Sequence, residues 1–575
     1  MKKNINKEST RRDFLKKSAA TAGVSMLGMP GILFSQTAPA NIKCNRKPNV
    51  LVVVTDQEQA WSDLPSQLVL PARQKLAAKA TNFSNAHVVS PLCSMSRGNL
   101  YTGQHGQFNG LWENTPLPWA QGINSSTPTM GNVFKDAGYT TGYTGKWHLT
   151  HMGVRGGRTL TQTQALFQQL GFDETFQAGE RDGAHAGFDL DPLTVQDSLG
   201  FIDKHKGDDS PWFLTANLVN PHDIMFFNAS ESQLKNRIGQ FPDKILTEPD
   251  HPIYKTNHNI ALPENFGPAT RKGKPAAHIQ KEGVQETALG EIDWNDLDAW
   301  KRFRNYYYNC LVDVDRHIDS LLEGLEKSGE ADNTIVVFVS DHGEMLGVHG
   351  HRGKGCLIYK EVANVPMSII HPDIKGGNTT QALTSHVDVM PTLLSLIGLS
   401  DDEIATKYPF LKGRNFSSCL TQPNSVGPRG SDGVLFQWSS LTYLDKASAQ
   451  SFTKIKAARG MLDTTQALLD AKMEIGLDNR GHMRGVFDGR YKFARYFSPL
   501  EHHLPLSFES LVRYNDLELY DTHKDPSENI NLAQFPLQHK AVIEMMNQKL
   551  NALVKQEVGV DDGSHMPGPS FLWQL

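Results

Sequence analysis

Two short β-branched runs that each close on an acid constrain this chain most. "PNVLVVVTDQEQ" carries apolar residues from Val50 to Val54 before Thr55, Asp56 and Gln57, and "NTIVVFVSDHGE" repeats the pattern at Ile335 to Val339 before Asp341 and His342. Apolar residues in consecutive positions fit strands buried on both faces. A third run, "PWFLTANLVNPHD", spans Phe213 to Val219 and ends near His222. Amphipathic helical sequence lies between these runs, clearest in "DAWKRFRNYYYNCLVDVDRHIDSLLEGLEKSG", which meets a stop signal at Ser328-Gly329. Strands alternating with helices predict an α/β, doubly wound sheet whose ligands sit beyond the carboxyl ends of the strands. Three strands deliver acids and histidines to that edge.

The chain has 575 residues, more than one hydrophobic core usually serves. Residues 1–40 read as a separate leader. Arg11-Arg12, Phe14-Leu15, a modest apolar run and the small-residue ending Ala38-Pro39-Ala40 resemble a twin-arginine export signal. Gly23, Gly28, Pro30 and Gly31 interrupt the run, which argues against a membrane anchor. A catalytic domain is expected over 48–400, with a polar, weakly periodic insertion at about 228–290. From 401 to 575 the pattern changes to short strands such as "GVFDGRYKFARYF" and a closing helix, "LQHKAVIEMMNQKLNALVKQE", which reads as a smaller C-terminal subdomain.

Removing the leader deletes seven Lys or Arg and two acids and moves the formal charge from −5 to −10. Such a chain has no general attraction for nucleic acid or anionic membranes, so any anionic substrate requires positive charge concentrated locally. Cys44, Cys310, Cys356 and Cys419 show no paired spacing, although export leaves a disulfide between two of them open.

The oxygen ligands Asp56, Gln57 and Asp341 suit a hard divalent cation such as calcium or magnesium, and the nitrogen of His342 keeps manganese open. "YTGKWHL" supplies Lys146 and His148, and "GHRGKG" supplies Lys354. Lysine is a compact charge suited to an oxyanion, and histidine moves protons near neutral pH. Each alone also fits a solvated surface or a loop contact. The remaining feature is "PLCSMSRGNLYTG", which places Cys93 four residues before Arg97 among hydroxyls. A lone cysteine usually packs as a small hydrophobe.

Taken in order, "PNVLVVVTDQ", "CSMSRGNLYTG", "GYTTGYTGKWHL", "NPHD", "TIVVFVSDHGEMLGVHGHRGKG", "SHVDVMPTLLSLIGL" and "LYDTHKDPSENINLA" resemble the type I sulfatases, a formylglycine-dependent branch of the alkaline phosphatase superfamily. The likeness covers essentially the whole chain after the leader. It implies an alkaline-phosphatase-like doubly wound mixed sheet flanked by helices, with a smaller C-terminal α+β domain. In that family the cysteine of a C-x-P-S-R segment is oxidised to formylglycine, an aldehyde that hydrates to a diol. One diol oxygen attacks sulfur, and the second hydroxyl, once deprotonated, expels sulfate.

The resemblance therefore implies that Cys93 is the formylglycine precursor and that Asp56, Gln57, Cys93, Asp341 and His342 form the metal shell. It implies one cation, Ca2+, with Mn2+ or Mg2+ as alternatives. Arg97 would orient the diol, Lys146 and Lys354 would hold sulfate oxygens, His148 would take the hydroxyl proton, and His222 would protonate the departing alkoxide or stabilise it. Two positions depart from the family pattern. Gln57 stands where a second aspartate is usual, and Met95 stands where the maturation machinery generally meets proline or alanine.

The expected function is that of an exported sulfuric ester hydrolase, periplasmic or secreted, acting on a sulfated carbohydrate. The expected partners are a formylglycine-generating enzyme and the Tat export machinery, with neither nucleic acid nor a stable membrane association. Trp112, Glu113, Arg155, Arg158, Arg181 and His185 are candidates for saccharide contact or plain surface residues. The alternatives are a phosphonate or phosphate ester hydrolase of the same superfamily, or a non-catalytic anion-binding relative if Cys93 is not matured.

Overall fold

Strand β1 (Asn49–Asp56) is buried along its whole length, and its odd and even residues serve two different cores. The structure, a computed structural model, describes residues 47–115, 120–124, 126–152, 157–235, 244–451, 476–501 and 504–566. The expected export leader and Arg155 lie outside the described residues. Val50, Val52 and Val54 pack with Leu100, Tyr101, Met390 and Leu393 on one face. Leu51 and Val53 pack with Val314, Ile318, Leu321 and Leu325 of the helix Leu297–Ser328 on the other. Burying each such side chain contributes about 1.5–3 kcal/mol. Gly329 closes the helix at φ 80°, where the sequence places its stop, and Asp296 caps its start by accepting from the Ala299 amide at 3.0 Å.

The remaining strands are β2 (Thr81–Phe83), β3 (Ala86–His87), β4 (Thr140–Gly145), β5 (Glu174–Thr175), β6 (Trp212–Pro221), β7 (Thr334–Ser340), β8 (Met367–Ile370), β9 (Asn378–Thr380), β10 (Thr384–Ser385), β11 (Val434–Trp438), β12 (His482–Phe487), β13 (Tyr491–Phe497) and β14 (Asp516–Asp521). Seven of these join β1 in one mixed sheet in the order β5-β4-β6-β1-β7-β8-β2-β9. The centre, β4-β6-β1-β7, is parallel, and β8 runs antiparallel to both β7 and β2. Helices cover both faces, which is the alkaline-phosphatase-like arrangement.

Strands β11 to β14 form a separate antiparallel sheet, with the helix Lys540–Glu557 packed across it through Ile543, Met546, Leu550 and Leu553. The small sheet packs through Trp438, Met483 and Tyr496 on Leu92, Met95 and Leu357, which lie in segments outside the strands of the main sheet. Met95, unusual in the motif, fills that seam. The residues from Ile404 to Leu420 still pack with the main sheet.

One expectation needs correction, and one open possibility closes. Residues 228–290 are not only a polar surface excursion, because the helix Ala276–Leu289 buries nine of its 14 residues. Many of these are polar or charged, so no apolar stripe announced the helix. The disulfide left open by export is also absent among the described residues, where Cys93, Cys310, Cys356 and Cys419 are free and buried. Cys44 lies outside them.

Candidate active site

The parallel register of β1 and β7 pairs Thr55 with Ser340, so the next residues, Asp56 and Asp341, emerge side by side at the carboxyl edge. Gln57 turns with φ 73°, and its amide donates to Asp341 Oδ1 at 3.1 Å. Tyr307, on the long helix, braces this turn by donating to the Gln57 carbonyl at 3.0 Å. On the other side of β1, β6 delivers His222 just beyond Pro221, and β4 next to it delivers Lys146 and His148.

Cys93 is the first residue of the helix Cys93–Thr102, where the helix dipole favours negative charge. Arg97, one turn on and fully buried, donates to Asn217 Oδ1 at 2.6 Å, to the Lys146 carbonyl at 2.5 Å and to the Trp147 carbonyl at 3.1 Å, and lies 3.4 Å from Asp341 Oδ2. This single guanidinium ties the helix to β4, β6 and the carboxylate edge.

All the predicted site residues meet here. Lys354 Nζ lies 2.9 Å from Cys93 Sγ and 2.8 Å from Gln57 Oε1. His342 Nε2 is 3.3 Å from Cys93 Sγ, while its Nδ1 is held 3.0 Å from the Gly343 carbonyl. A carbonyl only accepts, so Nδ1 carries the proton and Nε2 faces the site. Lys146 Nζ sits 2.8 Å from Asp56 Oδ2. His148 and His222 also face Cys93. Both ring nitrogens of His148 and Nδ1 of His222 lack a hydrogen-bond partner.

The electrostatics follow from burial and neighbours. Burial works against a thiolate at Cys93, but Lys354, Lys146 and His342 outweigh it and hold the thiol well below its ordinary range. Burial also opposes charge on Lys146, yet Asp182 and then Asp56 hold its pKa well above the lysine range. His222 titrates below the ordinary histidine value, first because it is buried and then because Lys146 is near.

Asp56, Cys93, Asp341 and His342 each present a ligand atom, and these atoms lie within 4.8 Å of one another. The two carboxylates shift in opposite directions. Burial and then Asp56 raise Asp341, whereas at Asp56 the lysines and His222 overcome burial and Cys93. A buried pair that cannot ionise freely together fits a divalent cation, which would let both do so. Gln57 adds an amide oxygen on the same side because its Nε2 is bound at 2.5 Å to Glu344 Oε2.

Sequence reasoning missed three acids. Glu344 fixes the Gln57 amide and also accepts from the Gly353 amide at 2.6 Å beside Lys354. Glu180 accepts from the Trp147 and His148 amides, both at 2.8 Å, and so shapes the loop that holds His148 at φ 58°. Asp182 contacts Lys146 at 3.1 Å. The dense charge of "GERDG" was the available signal.

The saccharide candidates fare differently. Glu113 is buried against Ser440 and Thr442, Arg181 is turned to Asp197 and Thr194, and Trp112 is buried. Arg158 lies on an exposed stretch near the His151 carbonyl, and His185 caps the helix Ala186–His205 at φ 58°.

A sulfatase family model matches residues 48–399. The chain is 26% identical over 416 residues to an N-acetylglucosamine-6-O-sulfatase of Bacteroides thetaiotaomicron, covering 64% of this chain and 71% of that one. It is 26% identical over 520 residues to a Delta 4,5-hexuronate-2-O-sulfatase of the same organism, covering 88% of each. The solved structure of a 2-O GAG sulfatase superposes with a TM-score of 0.61 at 21% identity, covering 89% of this chain and 93% of the other, a likeness of fold. A match across more than half the chain, over the residues that build the carboxyl-edge site, places it firmly. The chain belongs to the type I sulfatase family of the alkaline phosphatase superfamily.

Proposed function

We propose that this sulfatase hydrolyses a sulfate ester carried by a saccharide, using Cys93 after its conversion to formylglycine. The observation that carries the reading is the placement of Cys93 at a helix N-terminus, with Lys354 2.9 Å and His342 3.3 Å from its sulfur. Converted, that residue would supply an oxygen nucleophile and a second hydroxyl for releasing sulfate. A divalent cation held by Asp56, Gln57, Asp341, His342 and residue 93 would supply Lewis acidity, with Ca2+ the proposed ion.

The chain's own groups do the rest. Lys354, 2.9 Å from Cys93 Sγ, and Lys146, 2.8 Å from Asp56, hold the non-bridging oxygens of the ester, matching charge that builds on them. His148, with both ring nitrogens unpartnered, takes the proton from the second hydroxyl, and His222 gives one to the departing alkoxide. Arg97 keeps Asp341 and the β4 loop in register with the helix. The saccharide reading draws on the relatives' names, two of which specify sugar sulfates. Export through the Tat machinery to the periplasm or medium rests on Arg11-Arg12 and the leader around them. Among the described residues no helix is long and apolar enough to cross a membrane.

The test is peptide mass spectrometry over residues 90–100 of protein made with a formylglycine-generating enzyme, together with turnover of an aryl sulfate and of sulfated monosaccharides. Residue 93 should appear as the aldehyde in active protein, and Cys93→Ala should fold but not turn over. Full turnover with an unmodified thiol refutes the reading.

A further inference from the structure

A carboxylate stands inside the anion pocket. Asp182 Oδ1 lies 3.1 Å from Lys146 Nζ and 3.8 Å from His222 Nδ1, and its Oδ2 lies 3.6 Å from His148 Nε2. Only the first is a hydrogen bond; the other two distances are too long, so Asp182 acts on the histidines through charge. Its side chain is 11% exposed. Burial disfavours its charge, but Lys146, His222 and His148 outweigh burial and hold its pKa at about 2, so it is ionised throughout the neutral range.

An anion held by Lys146 cannot avoid this group. An oxygen at hydrogen-bond distance from Lys146 Nζ, about 2.9 Å, lies at most about 6 Å from the carboxylate oxygen. The repulsion scales with the ligand's charge. A sulfate monoester carries one negative charge at every relevant pH, whereas a phosphate monoester, with a second pKa of about 6, approaches two.

We infer that Asp182 is a charge filter: fixed beside Lys146, it makes the pocket favour a monoanionic sulfate ester over a dianionic phosphate monoester. The inference rests on Lys146 being an oxyanion ligand. At this separation and a near-surface dielectric, one extra charge changes affinity by about tenfold to a hundredfold, with salt drawing the effect toward the lower figure.

The test compares wild type, Asp182→Asn and Asp182→Glu in two arms. In the first, converted enzyme is assayed for kcat/KM on an aryl sulfate and the matched aryl phosphate. Asp182→Asn should raise the phosphate-to-sulfate ratio about tenfold or more, whatever happens to absolute rates, and Asp182→Glu should keep the ratio near wild type. In the second, unconverted protein is titrated calorimetrically with methyl sulfate and methyl phosphate at pH 5 and pH 8. Lys146, His148, His222 and Asp56 face Asp182 and are common to wild type and Asp182→Asn, so the difference between the two proteins, taken relative to methyl sulfate, isolates the carboxylate. Relative to methyl sulfate, methyl phosphate should weaken on going to pH 8 in wild type, and this weakening should shrink in Asp182→Asn. An unchanged ratio in the first arm, or the same pH response in wild type and Asp182→Asn in the second, overturns the filter. If converted wild type cleaves no sulfate ester, the proposed function fails, and the second arm still decides on Asp182.

Discussion

Lys354 Nζ sits 2.9 Å from Cys93 Sγ, so an ammonium from the loop after β7 reaches the first turn of a helix 261 positions earlier in the chain. The same ammonium touches Gln57 Oε1 at 2.8 Å, and the Lys354 carbonyl is held at 3.2 Å by Gln285 of the buried helix Ala276–Leu289. Replacing Lys354 by Met should lower kcat/KM by about 10²–10³, the cost of removing one preorganised oxyanion partner. Lys354→Arg keeps the charge without the compact shape and should recover only part. Steady-state kinetics on an aryl sulfate, with conversion of residue 93 verified, checks this; a loss under threefold for Met contradicts the assigned role.

Gly145 ends β4 at φ 92°, and a Cβ there would lie 1.9 Å from the Asn217 carbonyl oxygen. Gly145→Ala combines a left-handed backbone with a backbone clash, so it should destabilise the fold by at least about 1–3 kcal/mol. Lys146 follows directly, and the expected activity loss exceeds what unfolding explains. Denaturant melts and kcat measured well below the transition separate the two effects.

Asp56 and Asp341 should bind a divalent cation only as a pair. Calcium added to chelator-treated protein should raise the melting temperature, with stabilisation of about 2.7 kcal/mol at 100 times Kd. Asp341→Asn should abolish the shift. Glu344→Gln, which loosens the hold on Gln57, should weaken cation affinity about tenfold to a hundredfold, as measured by calorimetry.

Glu557 is buried with Arg429, whose guanidinium also forks onto Asp388 at 2.5 and 2.7 Å. Burial pushes the Glu557 pKa up, but Arg429 and then His105 outweigh it and bring it from 4.5 to about 2. A depressed acid stabilises the fold above its unfolded pKa and loses that contribution as pH falls through the folded value. The window therefore runs from about pH 4.5 down to about 2, and the contribution is on the order of 3 kcal/mol. Glu557→Gln should cost about 3 kcal/mol at pH 7, the low end for breaking a buried pair, because Asp388 still holds Arg429. The difference from wild type should vanish near pH 2, as read by urea melts across that range.

Several elements were legible in the chain because local chemistry sufficed. Val50 to Val54 and Ile335 to Val339 announce buried parallel strands by having no polar face, and an acid at each end marks the ligand edge. The helix Leu297–Ser328 shows its stripe and its stop at Ser328-Gly329. Cys93 was legible only through the order of motifs around it, since its residue type alone suggests a packed thiol. The helix Ala276–Leu289 stayed hidden because Lys281, Glu282 and Gln285 are buried by partnering one another and the Arg352 and Lys354 carbonyls, which leaves no hydrophobic period to read.

By itself, then, the sequence determined the strand ends and, through the ordered motifs it shares with the sulfatases, pointed to Cys93, Lys146, Lys354, His148 and His222 as candidate site residues. Only the tertiary structure decided that Glu344 aims Gln57, that Glu180 shapes the His148 loop and that Asp182 faces Lys146. Those three acids act through distances between segments remote in sequence, and a carboxylate's effect depends on what lies within a few ångströms once water is excluded.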